Sequence, residues 1–443
     1  MNQQKSLQGV LQPGVSRREL VSWALYDFAN SGYTTVVLTT VFNAYFVSVV
    51  AGGKHWATLA LTAALSWSYL MVMFSMPVLG AWADARMARK RLLALSTAGC
   101  VAATWALALA APGKVVWALF ALAISNYFYC VGESLIAAFL PVLARPQALG
   151  RVSGWGWSVG YLGGMLTLGL SLVVVSRGQA AGLDSAQYVP WVMLLTGTVF
   201  AVAAVPSLLW LRERHGPVSG VASAGQPGRP WQMLSVLARA WRETGRHYPD
   251  MRWLLICGAC YHAGIAVVIT LAAVYATEVM GFDMAQTMML IFIVNIGAAA
   301  GAFAFGHVQD AMGHKRALFV TLIGWIIMVL AAWAAIEVWV FWVAAVLAGL
   351  CMGTSQSAGR AMVGAFAPAG QPAAFYGLWA FAIQLAAVVG PLSYGLMVWL
   401  THGQHRLALL CTGLFFVAGM IALQRVDFAQ GQAAARRPAS WVA

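Results

Sequence analysis

Long apolar runs separated by short polar stretches occupy most of the chain between residues 22 and 424. A bilayer core of roughly 30 Å is crossed by a helix of about 20 predominantly apolar residues. Backbone groups cannot stay unpaired in lipid, and the runs lack the short alternating pattern of a barrel, so we predict an all-α membrane protein. The twelve predicted helices are 22–50, 56–82, 92–112, 115–141, 152–176, 189–211, 253–279, 284–306, 317–335, 338–360, 374–399 and 407–424.

The composition excludes a water-soluble body of this size. The 443 residues are 61% hydrophobic and 9% charged, with a mean hydropathy of +0.77, whereas a soluble domain is about half apolar and a quarter charged. All six cysteines fall inside apolar runs, so we expect buried free thiols and no disulfide bonds. The first run is long and lacks a small-residue cleavage site, which indicates a retained helix and not a signal peptide.

The basic residues are distributed unequally between the two sides of this topology. All but four of the 26 Lys and Arg residues fall on the side that also holds both termini, the exceptions being Lys54, Lys114, Arg177 and Arg406. Basic loops stay in the cytoplasm, so we expect both termini there and the chain in the cell (inner) membrane. This bias also accounts for the net charge of +13, and we expect no nucleic-acid partner.

The predicted helices divide into two groups of six. We predict an N-terminal half at 1–211, a cytoplasmic linker at 212–252 and a C-terminal half at 253–443. Within the linker, Gly216–Pro230 is rich in Gly, Pro, Ser and Ala and is typical of a flexible segment. Trp231–Tyr248 could form a basic amphipathic helix on the membrane surface or a solvated linker helix.

The two halves share a loop motif. Gly80 and Asp84 follow the second predicted helix, and Gly306 and Asp310 follow the eighth at an offset of 226 residues. The openings of the fifth and eleventh helices also match, at an offset of 223 residues. Internal repeats are common in transporters, whose substrate site lies between the repeats near the middle of the membrane.

The repeated loops predict a gate that holds the cytoplasmic side closed. The glycine lets two helices approach closely, and the aspartate can cap a neighbouring helix N-terminus. The basic residues that follow are expected to bind anionic lipid headgroups. The alternative is a loop that serves only topology and anchoring. The proposed gating residues are Gly80, Asp84, Arg89, Lys90, Arg91, Gly306, Asp310, Lys315 and Arg316.

These motifs resemble those of the major facilitator superfamily. Within it, WALYDFANS at 23–31 and GRVSGWGWSVGYLGG at 150–164 are similar to the first- and fifth-helix signatures of the Atg22-like branch, and QSAGR at 356–360 resembles its tenth helix. The resemblance implies two six-helix pseudo-repeats with helices one, four, seven and ten around a central cavity. It also implies transport, because the branch includes vacuolar amino-acid effluxers. The chain departs from the branch at His262 and Ala263, where bacterial members tend to carry Asp in the seventh helix.

Polar residues inside the membrane are costly, and each is a candidate for function. The candidates fall on predicted helices one, four, five, seven and ten: Asp27, Asn30, Asn126, Glu133, Tyr161, Tyr261, His262, Gln356 and Arg360. We expect Arg360 to pair with Asp27 or Glu133 when the cytoplasmic side is closed, and the pair to break on opening. A fixed structural salt bridge is the alternative.

The same residues suggest a substrate and a coupling ion. A carboxyl in apolar surroundings can exchange protons near neutral pH, so Glu133 is the first candidate proton carrier and His262 the second. Arg360 could bind the carboxylate of an amino acid, and Asp27 or Glu133 its ammonium group.

No nucleotide-binding loop and no catalytic constellation is found in the sequence. We therefore predict a secondary transporter of amino acids or similar small metabolites, with proton-coupled efflux, and neither an enzyme nor a protein with a cofactor or metal. The expected partners are the substrate, protons and lipids, and the expected state is a monomer. Two alternatives remain open: an exporter of drug- or siderophore-like compounds, and a non-transporting sensor or scaffold with a transporter fold.

Overall fold

Helices account for nearly all of the regular structure in the computed structural model, which describes residues 9–214 and 241–437. Within these residues twelve helices are long and apolar enough to cross a membrane, which confirms the predicted number. The long helices in chain order, followed by one short one, are α1 Arg17–Tyr33, α2 Ala57–Ala85, α3 Arg89–Ala106, α4 Val115–Ala137, α5 Leu149–Ala180, α6 Ser185–Trp210, α7 Pro249–Met280, α8 Met284–Met312, α9 His314–Ala334, α10 Val338–Phe366, α11 Pro372–Leu400, α12 His405–Gln424 and α13 Phe428–Ala435.

Several helices begin or end outside the predicted apolar spans because caps, and not hydropathy, set their ends. The α1 helix begins at Arg17, where the Ser16 hydroxyl and the Glu19 side chain form a capping box. Beyond Tyr33 the same span continues to Val50 through wider turns, and its axis is interrupted at Thr40.

The outer surface of the bundle carries many exposed large apolar side chains. Leu59, Trp67, Val116, Ile336 and Trp399 are each more than 60% exposed. Such a surface is unfavourable in water and favourable in lipid. All six cysteines are free thiols, as the sequence predicts, but only four of them are buried, since Cys260 and Cys411 are half-buried.

The two six-helix groups meet most closely where α2 packs on α11 and α5 packs on α8. Each contact is built on glycine. A side chain at Gly80 would overlap the Ala373 carbonyl, and one at Gly306 would lie 2.9 Å from the Gly150 carbonyl oxygen. The close approach predicted from the loop motif is therefore confirmed. We call the end of the bundle that holds the α2–α3 and α8–α9 loops the basic end.

Part of the predicted linker lies outside the described residues. This applies to the flexible segment and to most of the amphipathic helix, since residues 215–240 are not described. Residues 241–247 are helical, and α7 begins at Pro249, within the predicted linker. The domain boundaries remain predictions.

Candidate substrate and coupling site

A buried ion pair joins the two six-helix groups. Arg360 on α10 places Nη1 2.7 Å from Oδ2 of Asp27 on α1, and both residues are only 6% exposed. Of the two partners considered for Arg360, Asp27 is therefore the one bound in this structure. Such a pair is stable only where hydrogen bonds satisfy the remaining polar atoms of both groups.

The other donors of Arg360 bind a single residue on α5. Nε donates to the Ser153 hydroxyl at 3.0 Å, and Nη2 donates to the Ser153 carbonyl at 2.8 Å. The guanidinium also lies between two indole rings, 4.7 Å from the centre of Trp23 and 5.2 Å from that of Trp157. This cage favours a cation through both hydrogen bonding and the faces of the rings.

Two hydroxyl contacts fix the backbone around this cage. The Ser153 hydroxyl donates to the Ser357 carbonyl at 2.9 Å, and the Tyr376 hydroxyl donates to the Arg360 carbonyl at 2.7 Å. The candidate residues did not include Ser153 and Tyr376. The repeat motif could have identified both residues, because Ser153 directly precedes Gly154 and Tyr376 directly precedes Gly377 in the matched openings of the fifth and eleventh helices.

Glycines on α5 make room for the site. A side chain at Gly156 would lie 2.7 Å from Arg360 Nη2, and one at Gly160 would lie 2.9 Å from the Ser31 hydroxyl. A side chain at Gly164, one turn further, would lie 2.7 Å from the Thr35 hydroxyl. These glycines repeat every four residues and therefore lie on one face of α5. That face lets α5 pack closely against α1 over several turns.

Glu133 lies beside the ion pair without belonging to it. It is near enough to interact electrostatically with both Asp27 and Arg360, and its carboxyl contacts the Tyr129 hydroxyl. Arg360 itself makes its ion pair with Asp27 alone among the described residues.

A second contact between the two groups involves Tyr161 and Gln356. The Tyr161 hydroxyl on α5 donates to Gln356 Oε1 on α10, and its ring lies 5.9 Å from the Trp157 ring. Tyr161, Gln356 and Arg360 thus line one interface between α5 and α10.

The α7 candidates form an aromatic cluster behind α10. The Tyr261 hydroxyl donates to the Ser355 carbonyl at 3.3 Å. The His262 ring lies 4.6 Å from the Tyr261 ring and 5.6 Å from the Trp379 ring. Gly359, next to Arg360, packs against Tyr261 and Trp379, so this cluster abuts the ion pair through the α10 backbone.

Several buried polar atoms of these elements have no protein partner. In the part of the chain that the structure describes, they include both amide atoms of Asn30, Nε1 of Trp157, Nε2 of His262 and Oγ of Ser357. Buried polar atoms are normally satisfied, and an unsatisfied set needs an explanation such as water or a ligand. These atoms offer donors and acceptors to a small polar molecule.

Asn126 has a different set of contacts from the other candidates. Its Nδ2 donates to the Ser68 hydroxyl on α2 at 2.6 Å, and its side chain is fully buried. It ties α4 to α2 within one half. The structure does not bring it to Arg360.

At the basic end each loop aspartate caps a helix of the opposite half. Asp84 Oδ2 accepts from the Ala374 N–H in the first turn of α11 at 2.8 Å. Asp310 accepts from the Gly150 and Arg151 N–H groups in the first turn of α5, at 2.9 and 3.1 Å. The capping geometry predicted from the motif is present at both loops. We call these two contacts the Asp84 latch and the Asp310 latch.

The loop lysines bind protein carbonyls in this structure, and their binding to lipid headgroups stays a prediction. Lys90 Nζ donates to the Leu211 carbonyl at 2.8 Å, at the end of α6. Lys315 Nζ donates to the Val426 carbonyl at 2.6 Å, just past α12. Both ammonium groups bind the free carbonyls of a helix C-terminus, where a cation is favoured. Arg89 is buried against Asp84, whereas Arg91 and Arg316 are exposed.

Comparison with known proteins gives consistent matches over much of the chain. The sequence model of the family described as "Vacuole effluxer Atg22 like" matches residues 46–436. The uncharacterized MFS-type transporter YxiO of Bacillus subtilis is 23% identical over 415 residues, which cover 91% of this chain and 93% of that protein. Autophagy-related protein 22-1 of Emericella nidulans is 26% identical over 55% of this chain but only 44% of its own length.

Solved structures share the fold at low identity. The human organic anion transporter MFSD10 superposes with a TM-score of 0.72 at 17% identity, covering 93% of this chain and all of that one. The proton:xylose symporter XylE superposes with a TM-score of 0.67 at 14% identity, over 93% of this chain and 94% of that one.

Proposed function

Because the chain belongs to the vacuole effluxer Atg22-like family of major facilitator transporters, we propose that it exports amino acids or similar small metabolites by alternating access, coupled to protons. The observation that carries this proposal is the buried Arg360–Asp27 pair, which lies on helices that also carry buried polar atoms without a partner among the described residues. A desolvated site with fixed charges suits a small zwitterion better than a large apolar compound.

The pair supplies complementary charges for such a substrate. The carboxylate of an amino acid would displace Asp27 from Arg360 and form a charge-assisted, bidentate pair with the guanidinium. The released Asp27, or Glu133, would then accept the ammonium group. Neither the Asn30 amide nor the Trp157 indole N–H has a partner among the described residues, and both would bind the remaining polar atoms of the substrate.

The two carboxyl groups also support proton coupling. Protonation of Glu133 would leave Arg360 paired with Asp27, as in this structure. Loss of that proton would make Glu133 a competing partner for Arg360 and weaken the link between α1 and α10. His262, whose Nε2 has no partner, is the second candidate for this role.

The proposed orientation places the basic end in the cytoplasm. The excess of Lys and Arg on that side supports it, as does the rule that basic loops remain in the cytoplasm. In that orientation the Asp84 and Asp310 latches hold the cytoplasmic side closed. We further propose that the protein acts as a monomer in the cell inner membrane.

Counterflow in proteoliposomes tests this proposal. Vesicles loaded with unlabelled amino acids would accumulate labelled ones from outside when they carry the native protein. Arg360→Ala should reduce this accumulation at least about a hundredfold, since it removes a charged partner from a buried site. The matched control is Arg242→Ala, which replaces an exposed arginine at the basic end.

The outcomes separate the competing functions. Accumulation by the native protein and the control, but not by Arg360→Ala, would support amino-acid transport. Accumulation of apolar drug-like compounds alone would favour the exporter alternative. Folded protein that moves no compound in the panel would favour a sensor or scaffold.

A further inference from the structure

A crevice of about 650 Å³ opens at the basic end between the two halves. One wall comes from the α4–α5 connection, including Pro141 and Leu149. The opposite wall comes from the α10–α11 connection, including Gly364 and Gly370. The volume falls in the range of ordinary small-molecule sites. This crevice is separate from the Arg360 site, with which it shares no lining residue.

The charged residues that line the crevice are all basic. They are Arg214, Arg436 and Arg437, and no Asp or Glu stands among the described residues of its walls. Arg214 Nη2 binds Glu19 at 2.6 Å, whereas its Nη1 is buried without a hydrogen-bond partner. Arg436 and Arg437 are exposed at the mouth, free of any ion pair among the described residues.

Both walls are held in place by specific contacts. On the N-terminal side, the Gln12 N–H donates to the Leu143 carbonyl at 2.9 Å, and Arg145 Nε donates to the Leu11 carbonyl at 2.8 Å. The arginines of the mouth follow α13, whose Phe428 ring lies 5.4 Å from the Phe366 ring of α10. The backbone of both walls is therefore packed structure, and Arg214 is held on the N-terminal wall by Glu19.

We propose that this crevice binds a phosphate-bearing anion that bridges Arg214 to Arg436 and Arg437 and holds the basic end closed. Guanidinium groups recognise phosphate oxygens through paired N–H donors. Arg436 and Arg437 line the crevice without an ion-pair partner among the described residues, and Arg214, whose Nη2 binds Glu19, keeps Nη1 available. A ligand that contacts both halves binds best when the halves are together. It therefore shifts the population toward the closed state by its difference in affinity for the two states.

Pyrophosphate is the probe for a soluble source of this anion. The full-length protein is reconstituted in nanodiscs of phosphatidylcholine, and labelled pyrophosphate binding is measured by equilibrium dialysis. Arg436→Gln combined with Arg437→Gln should weaken binding at least about tenfold, because it removes two charged partners. The matched control, Arg242→Gln with Arg246→Gln, removes the same charge from exposed positions outside the crevice, and it should change the affinity by less than about twofold.

Nanodiscs that contain phosphatidylglycerol test a lipid source of the same chemistry. If the headgroup occupies the crevice, this lipid should raise the Tm of the native protein and of the control but not of the crevice variant, and it should compete with pyrophosphate. Arg436→Lys with Arg437→Lys should retain part of the binding, because the positive charges are kept while the paired N–H donors of the guanidinium groups are lost.

Two results would overturn the proposal. One is that neither pyrophosphate nor phosphatidylglycerol binds the folded protein. The other is that the crevice variant and the matched control lose affinity equally, which would indicate a diffuse surface effect. Both measurements report on binding and not on transport, so their outcome does not depend on whether the proposed amino-acid transport is correct.

Discussion

The Asp84 latch and the Asp310 latch follow the same plan in different surroundings. Asp84 caps α11 and pairs with Arg89 at 3.1 Å, where both side chains are almost fully buried. Asp310 caps α5 and pairs with Arg151 at 3.0 Å, but the Arg151 side chain is 36% exposed. The first latch thus depends on a desolvated ion pair, whereas the second depends mainly on backbone hydrogen bonds. Equivalent motifs in two repeats therefore need not have equal energetic roles.

The largest expected difference between the latches is in the cost of losing the arginine. Arg89→Ala leaves the Asp84 carboxylate buried without its cation, and we expect a loss of about 3–5 kcal/mol in the free energy of unfolding. Arg151→Ala should cost less than about 1 kcal/mol, because solvent already screens that pair. Denaturant unfolding in detergent measures both, and equal losses would contradict the comparison.

A glycine substitution in each latch should give an intermediate effect. Alanine at Gly80 would overlap a backbone carbonyl, whereas alanine at Gly306 would meet the Gly150 oxygen at 2.9 Å. We expect Gly80→Ala to lower the free energy of unfolding by about 2–3 kcal/mol and Gly306→Ala to lower it by about 1 kcal/mol. These values lie in the range that overpacking costs in other proteins. The ranking is checked by the same unfolding measurement. A larger cost at Gly306 would show that the α5–α8 contact is the tighter one.

The smallest expected effects concern the two loop lysines, which make the same kind of contact in both halves. Lys90→Gln and Lys315→Gln should each cost about 0.5–1 kcal/mol, because each removes a cation from a helix C-terminus. The neighbouring exposed arginines provide controls, and Arg91→Gln and Arg316→Gln should stay within about 0.5 kcal/mol of the native protein. Thermal unfolding in lipid mixtures with and without anionic lipid compares all four. A dependence on anionic lipid for the lysine variants alone would support the headgroup prediction.

Some of these features could be predicted from the sequence because they are local or rest on a large energy. The thickness of the bilayer fixes the length of each apolar run, so twelve helices follow directly. The four-residue spacing between Gly80 and Asp84, repeated later in the chain, predicted a close approach and a helix cap. The high cost of ions in lipid singled out Asp27 and Arg360.

Other features depend on where a distant helix ends or turns, which no local pattern records. Lys90 and Lys315 bind carbonyls because α6 and α12 happen to end beside them, so their role followed from tertiary structure and not from charge. Asn126 finds its partner Ser68 on α2, and Trp23 reaches Arg360 only because glycines on α5 bring three helices together.

The crossed arrangement of the latches has a consequence for the rate of turnover. Each aspartate caps a helix of the opposite half, so under the proposed gating role a separation of the halves at the basic end would break both caps in one event. Their free energies then add in a single barrier, and a change of about 1.4 kcal/mol in either one alters the opening frequency about tenfold. Sequence drift in one loop can therefore be balanced by the other, which allows the speed of the cycle to be tuned without altering the binding site.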